Sequence, residues 1–589
     1  MANTKKSPLL SNSTTSKDYS IELAKPYLVS DIVPGSDGSY PFSLTSVNDT
    51  LYFFTSFSLD DPDEVGIRLW KSNGTEAGTV ALKDISSFSY RYYEPYDLTN
   101  VNDVLYFLTY FSRLWKSDGT SEGTVAIDLP GGYGYPPHLL ANINGILYFS
   151  ASNDDSHDDL WKSDGTKEGT FRLRELYPGD GFIYISSATK MNSTLYFAVG
   201  SDNAPPILWK SDGTTAGTVP FKEFTSGNAF YELTTVKNIF YFTRYGELWK
   251  SDGTSEGTVE VKDIAASYLR NFNDTLYFLS DPNPNDGIDG DELWKTDGTA
   301  TGTVLVKDIN PGPSGSFAYR SNNFITEVNS TLYFYADDGT HGLELWKSDG
   351  TEAGTVLVKD INPGSDSSIV INGNSVQDPL LTGVNGTLYF YADDGTHGGE
   401  LWKSDGTAEG TVLVEDIKPG AGSSNISDLA NVDGTLYFNA DDGIHGNELW
   451  AIKTDNTING NGSRDPLTGT AGSDRIVGGT GKKTITGGAG NDEFVYTSIK
   501  EVGQRITDFT VGEDKIVLTQ LLDSLVSGGY NGSDAIADGY VRLVKGSSAN
   551  STILQIDRDG ATGNAVFRNF IELDNVTPQA MNNLNNFVF

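Results

Sequence analysis

Cysteine is absent from the 589 residues. Its absence removes a disulfide framework, thiolate metal centres and cysteine nucleophiles. Basic residues are scarce: 41 Lys and Arg stand against 79 Asp and Glu, a formal net charge of −38. So acidic a chain repels phosphate backbones and anionic bilayers, which argues against nucleic acid as a partner, and it favours divalent cations. No run of 18 apolar residues occurs, so no membrane span is expected. The N-terminal MANTKKSPLLSNSTTSKDYS lacks an apolar h-region and reads as a disordered tail over residues 1–20, not as a signal peptide. Nucleophile motifs, phosphate-binding loops and HExxH are missing too. What is present is glycine (65) and proline (22), spread too evenly for disorder, and 12% aromatics, enough for a packed core.

Internal periodicity sets the architecture. All nine tryptophans, from Trp70 to Trp450, follow a leucine and recur every 40 to 56 residues. Before each lies an aromatic triplet, Leu-Tyr-Phe in eight units and Phe240-Tyr241-Phe242 in the fifth. After eight of the nine comes a turn such as Ser348-Asp349-Gly350-Thr351, then an aliphatic strand such as Val356-Leu357-Val358. One unit therefore reads as four short strands, a to d, with Asn-Gly joining a to b and the Asp-Gly-Thr turn joining c to d. Four strands in about 45 residues is the period of a β-propeller blade. The ninth unit lacks its Asp-Gly-Thr turn and its d strand, and Leu28-Val29-Ser30-Asp31-Ile32 supplies a matching segment. The expected fold is all-β: a propeller of about nine four-stranded blades over 21–454, closed by an N-terminal strand. A linker or degenerate first turn over 455–466 follows, then a short parallel β-roll with a small β-rich C-terminal domain over 467–589.

The repeated stretch resembles the ELWxxDGT repeat proteins of bacteria, which implies a fold and assigns little chemistry. The Leu-Tyr-Phe and Leu-Trp positions read as inter-blade core, and the Asp and Thr of the turn as backbone caps. In such a ring the a-to-b and c-to-d turns share one monotonous face. The varied d-to-a and b-to-c loops share the other, where binding usually lives. The b-to-c loops are acidic in six units. In the sixth, Asp281, Asn283, Asn285 and Asp289 place oxygen ligands at alternate positions, a calcium pattern with one residue too many for an EF-hand spacing. The Asp-Asp-Gly-x-His-Gly loops of units seven to nine read more simply as self-capped tight turns. The d-to-a loops gather aromatics, among them Tyr92, Tyr93, Tyr135, Tyr184, Phe230, Tyr231, Phe317 and Tyr319. Exposed rings beside carboxylates suit sugars, and the competing reading is that these rings wedge between blades.

Past Trp450, three nine-residue units run GTAGSDRIV, GGTGKKTIT and GGAGNDEFV from Gly469 to Val495. Their period is similar to the calcium-binding RTX β-roll. That resemblance implies that Gly472 and Gly490 permit the tight turns and that Asp474 and Asp492, with nearby carbonyls, hold Ca2+. Units one and three would share an edge of the roll, whereas the second unit places Lys482-Lys483 where its aspartate should be. Ile506-Thr507-Asp508-Phe509 with Gly512 and Asp514, Ile556-Asp557-Arg558-Asp559-Gly560, and the terminal Asn586-Phe587-Val588-Phe589 resemble the C-terminal region of type I secreted proteins. A short helix is expected around Pro578 to Leu584. The resemblance implies export by the type I machinery without an N-terminal signal, and folding outside the cell where calcium is plentiful.

The leading functional expectation is a secreted, calcium-binding adhesion or matrix protein whose propeller recognises an extracellular polysaccharide or cell-surface component. The acids recur as turn elements and form no single converging set, which weighs against an enzyme. The alternatives are a propeller-fold polysaccharide-degrading enzyme and a surface-layer component that assembles with itself.

Overall fold

The computed structural model describes residues 25–58, 65–88, 95–109, 113–129, 137–152, 157–176, 183–201, 205–225, 230–281, 290–311, 315–317, 325–369, 371–372, 375–376, 380–453, 456–460, 462, 464–469, 474–488, 490–526, 529–530, 532–560 and 566–589. Nine four-stranded antiparallel sheets form the blades of one propeller. Their inner strands are Phe42–Val47, Tyr96–Val101, His138–Ile143, Ile183–Met191, Tyr231–Val236, Ser267–Phe272, Ile325–Val328, Thr382–Val384 and Leu429–Val432. In blade 7 the order runs outward through Thr331–Asp337, Leu343–Ser348 and Val356–Lys359.

Each blade is apolar on both faces because each packs against two neighbours. The nine apolar clusters of the propeller each draw residues from two successive blades, and the last joins Leu449 and Tyr437 of blade 9 to Leu51 and Phe53 of blade 1. This two-sided burial is why Leu-Tyr-Phe is an unbroken apolar run and not an alternating strand. Register then pairs the phenylalanine of strand b with the tryptophan of strand c, as in Phe53↔Trp70 and Phe107↔Trp115. Their rings stack at 6.2 and 5.9 Å.

The Asp-Gly-Thr turn both caps itself and joins blades. Asp349 Oδ1 accepts from the Thr351 amide at 2.8 Å and its hydroxyl at 2.7 Å. The Thr351 hydroxyl in turn accepts from the Gly354 amide at 3.0 Å. These donors hold the Asp349 carboxyl below its ordinary range. The turn glycine takes φ of +83° in Gly350, and a Cβ there would collide with the Tyr277 hydroxyl of the preceding blade. Its carbonyl accepts from the preceding blade's strand-c lysine. Seven lysines, from Lys71 to Lys347, make this bond at 2.5–3.3 Å. Tyrosine, lysine and glycine thus form one junction repeated around the ring.

The ring closes as the sequence implies. Tyr27–Ser30 is the outer strand of blade 9 and pairs antiparallel with Asn447–Lys453, Leu28 opposite Trp450. Glu448, fully buried, accepts from the Ile32 amide at 3.2 Å, the Val33 amide at 3.0 Å and the Ser39 hydroxyl at 2.5 Å. Asp428 of blade 9 accepts from the Leu44 amide of blade 1 at 2.8 Å. Blade 9 has Ala451 where other blades have the junction lysine, and the Tyr27 hydroxyl bonds the Gly74 carbonyl instead, at 3.3 Å.

Glu292, Glu344 and Glu400 occupy the position of Glu448 in blades 6 to 8 and hold the turn after each outer strand through its amides. Burial is the main cause that pushes each of the three up to about 7.

The C-terminal residues form a two-sheet coil. One sheet stacks Asn456–Asn459, Asp474–Val477, Glu493–Val495, Lys515–Val517 and Phe587–Val588 in parallel. The other begins with Leu467–Thr468, Thr484–Thr486 and Gln504–Ile506 and ends in the hairpin-linked strands Val541–Lys545, Thr552–Ile556 and Arg568–Leu573. The coil therefore starts within 455–466. Ile476, Ile485 and Phe494 face its core as the nine-residue pattern implies. The C-terminal helix is shorter than expected, Pro578–Met581, followed by a 3-10 turn at Leu584–Asn586. A second helix, Thr519–Leu525, has no side-chain cap to announce it and is held by buried Leu521 and Leu522.

Deleting residues 1–33 should remove the closing strand and strand Glu448 without two of its donors. The expected cost is upwards of about 3 kcal/mol, read as a lower denaturation midpoint and new proteolysis between blades 9 and 1. A pH effect follows from Glu292, Glu344 and Glu400. Their carboxyls hold protons to about pH 7 when folded, against an ordinary value of 4.5. Between those values the folded state binds more protons than the unfolded one. Stability of the propeller should therefore fall as pH rises from 5 to 8, measured by denaturant midpoints across that range.

Candidate ligand and cation sites

The acidic b-to-c loops of blades 7 to 9 prove to be closed turns. Asp338 Oδ1 accepts from the Thr340 amide at 2.9 Å and the His341 amide at 3.0 Å, and Oδ2 meets His341 Nδ1 at 2.8 Å. Asp394 with His397 and Asp442 with His445 repeat the arrangement at 2.8 and 2.7 Å. The aspartate bond raises each imidazole above its ordinary value. Among the described residues, no three His or acidic side chains converge as a metal centre requires. In the sixth loop Asp281 is described, whereas Asn283, Asn285 and Asp289 lie outside the described residues.

One histidine meets acids from more than one blade. His138 Nδ1 lies 3.5 Å from Asp97 Oδ2, and nearby Asp158 is pushed up to about 6, chiefly by burial. Asp97 Oδ2 also accepts from the Leu139 amide at 2.9 Å, so it ties blade 2 to blade 3. Equivalent ties run from Ser187 to the Leu233 amide and from Glu232 to the Leu269 amide, both at 3.0 Å. The acids on the inner strands are thus committed to the ring.

The aromatics divide. Phe230 and Phe317 are core residues. The Tyr184 ring lies over Gly200, half-buried. Tyr231 is open, at 54% exposure. Tyr92, Tyr93, Tyr135 and Tyr319 lie outside the described residues. A tyrosine that sequence reasoning passed over, Tyr245, is the most exposed of those described, at 60%. It sits in the b-to-c turn of blade 5, not in a d-to-a loop. Its signal was the brevity of that connection, two residues between Arg244 and Glu247.

In the coil, Asp474 and Asp492 come together on one edge, as the alternation of units implies, and Asp514 extends the row. The Asp474 amide donates to Asp492 Oδ1 and the Asp492 amide to Asp514 Oδ1, each at 2.9 Å. All three side chains are buried. Gly469 and Gly487 leave room for the carboxylates, because a Cβ at either would strike the Oδ2 of Asp474 or Asp492. Burial first, and then the charges of Asp514, Asp474 and Asp508, push Asp492 up to about 7. A cavity of about 350 Å³ opens beside Asp474 and Asp492, lined also by Glu493 and by the basic Lys453, Arg475 and Lys515. Gly490 takes φ of +107° in its turn, and Gly472 lies outside the described residues. The carboxylates offer oxygen donors of the kind a hard divalent cation takes, although the three do not converge on one point and Lys453, Arg475 and Lys515 supply positive charge nearby. Sequence reasoning left out Asp514 because it falls outside the nine-residue pattern. On the second sheet Lys483 is buried where an aspartate would stand, and Gln504 Nε2 bonds the Gly479 carbonyl at 2.5 Å.

No helix among the described residues is long and apolar enough to cross a membrane. Residues 443–577 match the family model for the serralysin C-terminal region of M10 peptidases. No curated protein matches the chain. Among solved structures, the computationally designed Ika8 protein is 11% identical, with a TM-score of 0.37, over 72% of this chain and 99% of its own. Puromycin hydrolase is 10% identical, with a TM-score of 0.35, over 74% of this chain and 63% of its own. The propeller domain of the trilobed protease from Pyrococcus furiosus is 11% identical, with a TM-score of 0.30, over 53% of this chain and 96% of its own. The stretch from residue 443 to 577 is thus similar to a serralysin C-terminal region, joined to a nine-bladed propeller.

Proposed function

We propose that the protein is a secreted, calcium-stabilised binding protein, exported by the type I machinery, whose propeller holds an extracellular polysaccharide or cell-surface glycan. The observation that carries the calcium part is the buried row Asp474, Asp492 and Asp514, stacked through its own amides, in which burial pushes Asp492 and Asp514 toward protonation. Asp474 and Asp492, with carbonyls of the adjoining turns, would hold the ion. When bound, it supplies the positive charge that relieves carboxylate repulsion and so favours the coiled state. The exposed Tyr231 and Tyr245 support the glycan part, since both lie at the varied end of blade 5.

At free calcium a hundredfold above its Kd, one site adds about 2.7 kcal/mol to stability. Asp492→Ala should remove most of that increment, measured as the calcium-dependent rise in Tm of the C-terminal transition. An unchanged rise would place the ion elsewhere. The glycan part predicts retention on a polysaccharide array. Release of shortened products from polysaccharide would instead favour an enzyme, and ordered sheets formed on adding calcium would favour self-assembly.

A further inference from the structure

Blade 5 differs from its neighbours on the varied face. Its b-to-c connection is only Tyr245-Gly246, with φ of +55° and +85°. The same pair of left-handed residues makes the a-to-b turns at Asn144-Gly145 (+53°, +82°), Asn385-Gly386 (+49°, +77°) and Asp433-Gly434 (+46°, +73°). Asn and Asp tolerate that first position well, and a bulky ring does so poorly. Tyrosine also stands at positive φ at Tyr40 (+47°) and Tyr268 (+55°), and Lys237 (+57°) opens the a-to-b turn of blade 5, so what sets Tyr245 apart is its exposure together with the cation beneath its ring.

The side chain is held as a plate. The Arg244 guanidinium lies 4.9 Å from the Tyr245 ring centre, 4.9 Å from that of Phe224 and 5.7 Å from that of Trp249. Arg244 is itself largely buried and lies 3.9 Å from Glu247, whose carboxylate accepts from the Trp249 indole at 3.1 Å. One partner is therefore an inward cation, and the ring stays 60% exposed. Tyr231, opposite Thr243 in the same hairpin, opens toward the same end at 54% exposure.

We propose that Tyr245, with Tyr231 at the same end of the blade and Glu247 across the turn, is a subsite for a neutral pyranose chain. The ring stacks on the apolar face of one sugar, and Glu247 accepts from a sugar hydroxyl. A tyrosine plate fixed from below offers this contact with little loss of side-chain freedom. A uronate chain is the poorer occupant, because Arg244 is already turned inward to Glu247 and the chain carries a net charge of −38. The inference rests on the glycan reading above and narrows it to one blade and one charge class.

The test is calorimetric titration of the full chain with hexasaccharides of β-1,4-glucan, β-1,4-mannan and β-1,3-glucan, and with a hexameric polyuronate. Tyr245→Asn should weaken binding of the neutral chain at least tenfold while Tm holds or rises, because asparagine suits the turn better. Tyr40→Ala, which removes an open tyrosine outside blade 5, should leave binding unchanged. A lower Tm with unaltered binding would make Tyr245 structural and overturn the subsite, and the glycan reading would survive. Binding of the polyuronate alone would overturn the neutral-sugar assignment. Binding of none of the four would overturn the subsite and count against the glycan reading as well.

Discussion

Every blade needs a neighbour on both sides. A four-stranded sheet that is apolar on both faces has no stable existence alone, so the propeller is a single cooperative problem: the ring closes or two faces stay wet. The tyrosine–lysine–glycine junction turns that demand into geometry. A tyrosine and a lysine of one blade reach a left-handed glycine of the next, which fixes the spacing between sheets as well as their attraction. At the seam, where blade 9 has no such turn to offer, the chain substitutes Ile452 in the apolar interface with blade 8 and Tyr27 in the bond to blade 1.

The legible part of this molecule is the part that repeats. Nine Leu-Trp units, the Asp-Gly-Thr caps and the latch at Leu28 all follow from period and residue type, because the same local physics recurs in each unit. Features made by non-local meeting were not legible. The clamp role of Glu344 and its equivalents depends on a turn 17 residues away folding back on the same blade. Asp514 joins the aspartate row from outside the nine-residue pattern. Of the aromatics singled out along the chain, Phe230 and Tyr231 are neighbours in sequence with opposite fates, one in the core and one in solvent. Strand parity decides that, and parity at a bulged strand end cannot be read from composition. The register shift between Tyr231 and Thr234 is such a bulge.

Both ends of the described chain serve as closing strands. Tyr27–Ser30 completes blade 9, and Phe587–Val588 lies in parallel beside Lys515–Val517 at the edge of the coil. The two closures differ in kind. The first joins residues more than 400 positions apart, as between Ile32 and Glu448, and carries a large loop-closure entropy; the second joins residues about 70 apart. The coil can therefore assemble from local pairing, whereas the ring must bring its farthest segments together before blade 9 has an outer edge.

Among the described residues, three groups of acids have different needs. Turn aspartates such as Asp349 are exposed and saturated by donors two residues away, which holds their carboxyls down, so they stay ionised and require nothing more. The buried glutamates are also supplied with amides, and a proton meets the remaining cost of burial near neutral pH. The aspartate row of the coil has one amide for each step and like charges above and below it. There burial and like charge leave Asp492 at about 7, and the proposed cation, held by Asp474 and Asp492, would relieve a repulsion that the amides of the ladder do not. Among the described residues, the proposed dependence on calcium rests on the coil, and the turn aspartates and buried glutamates of the propeller are supplied by hydrogen bonds and protons.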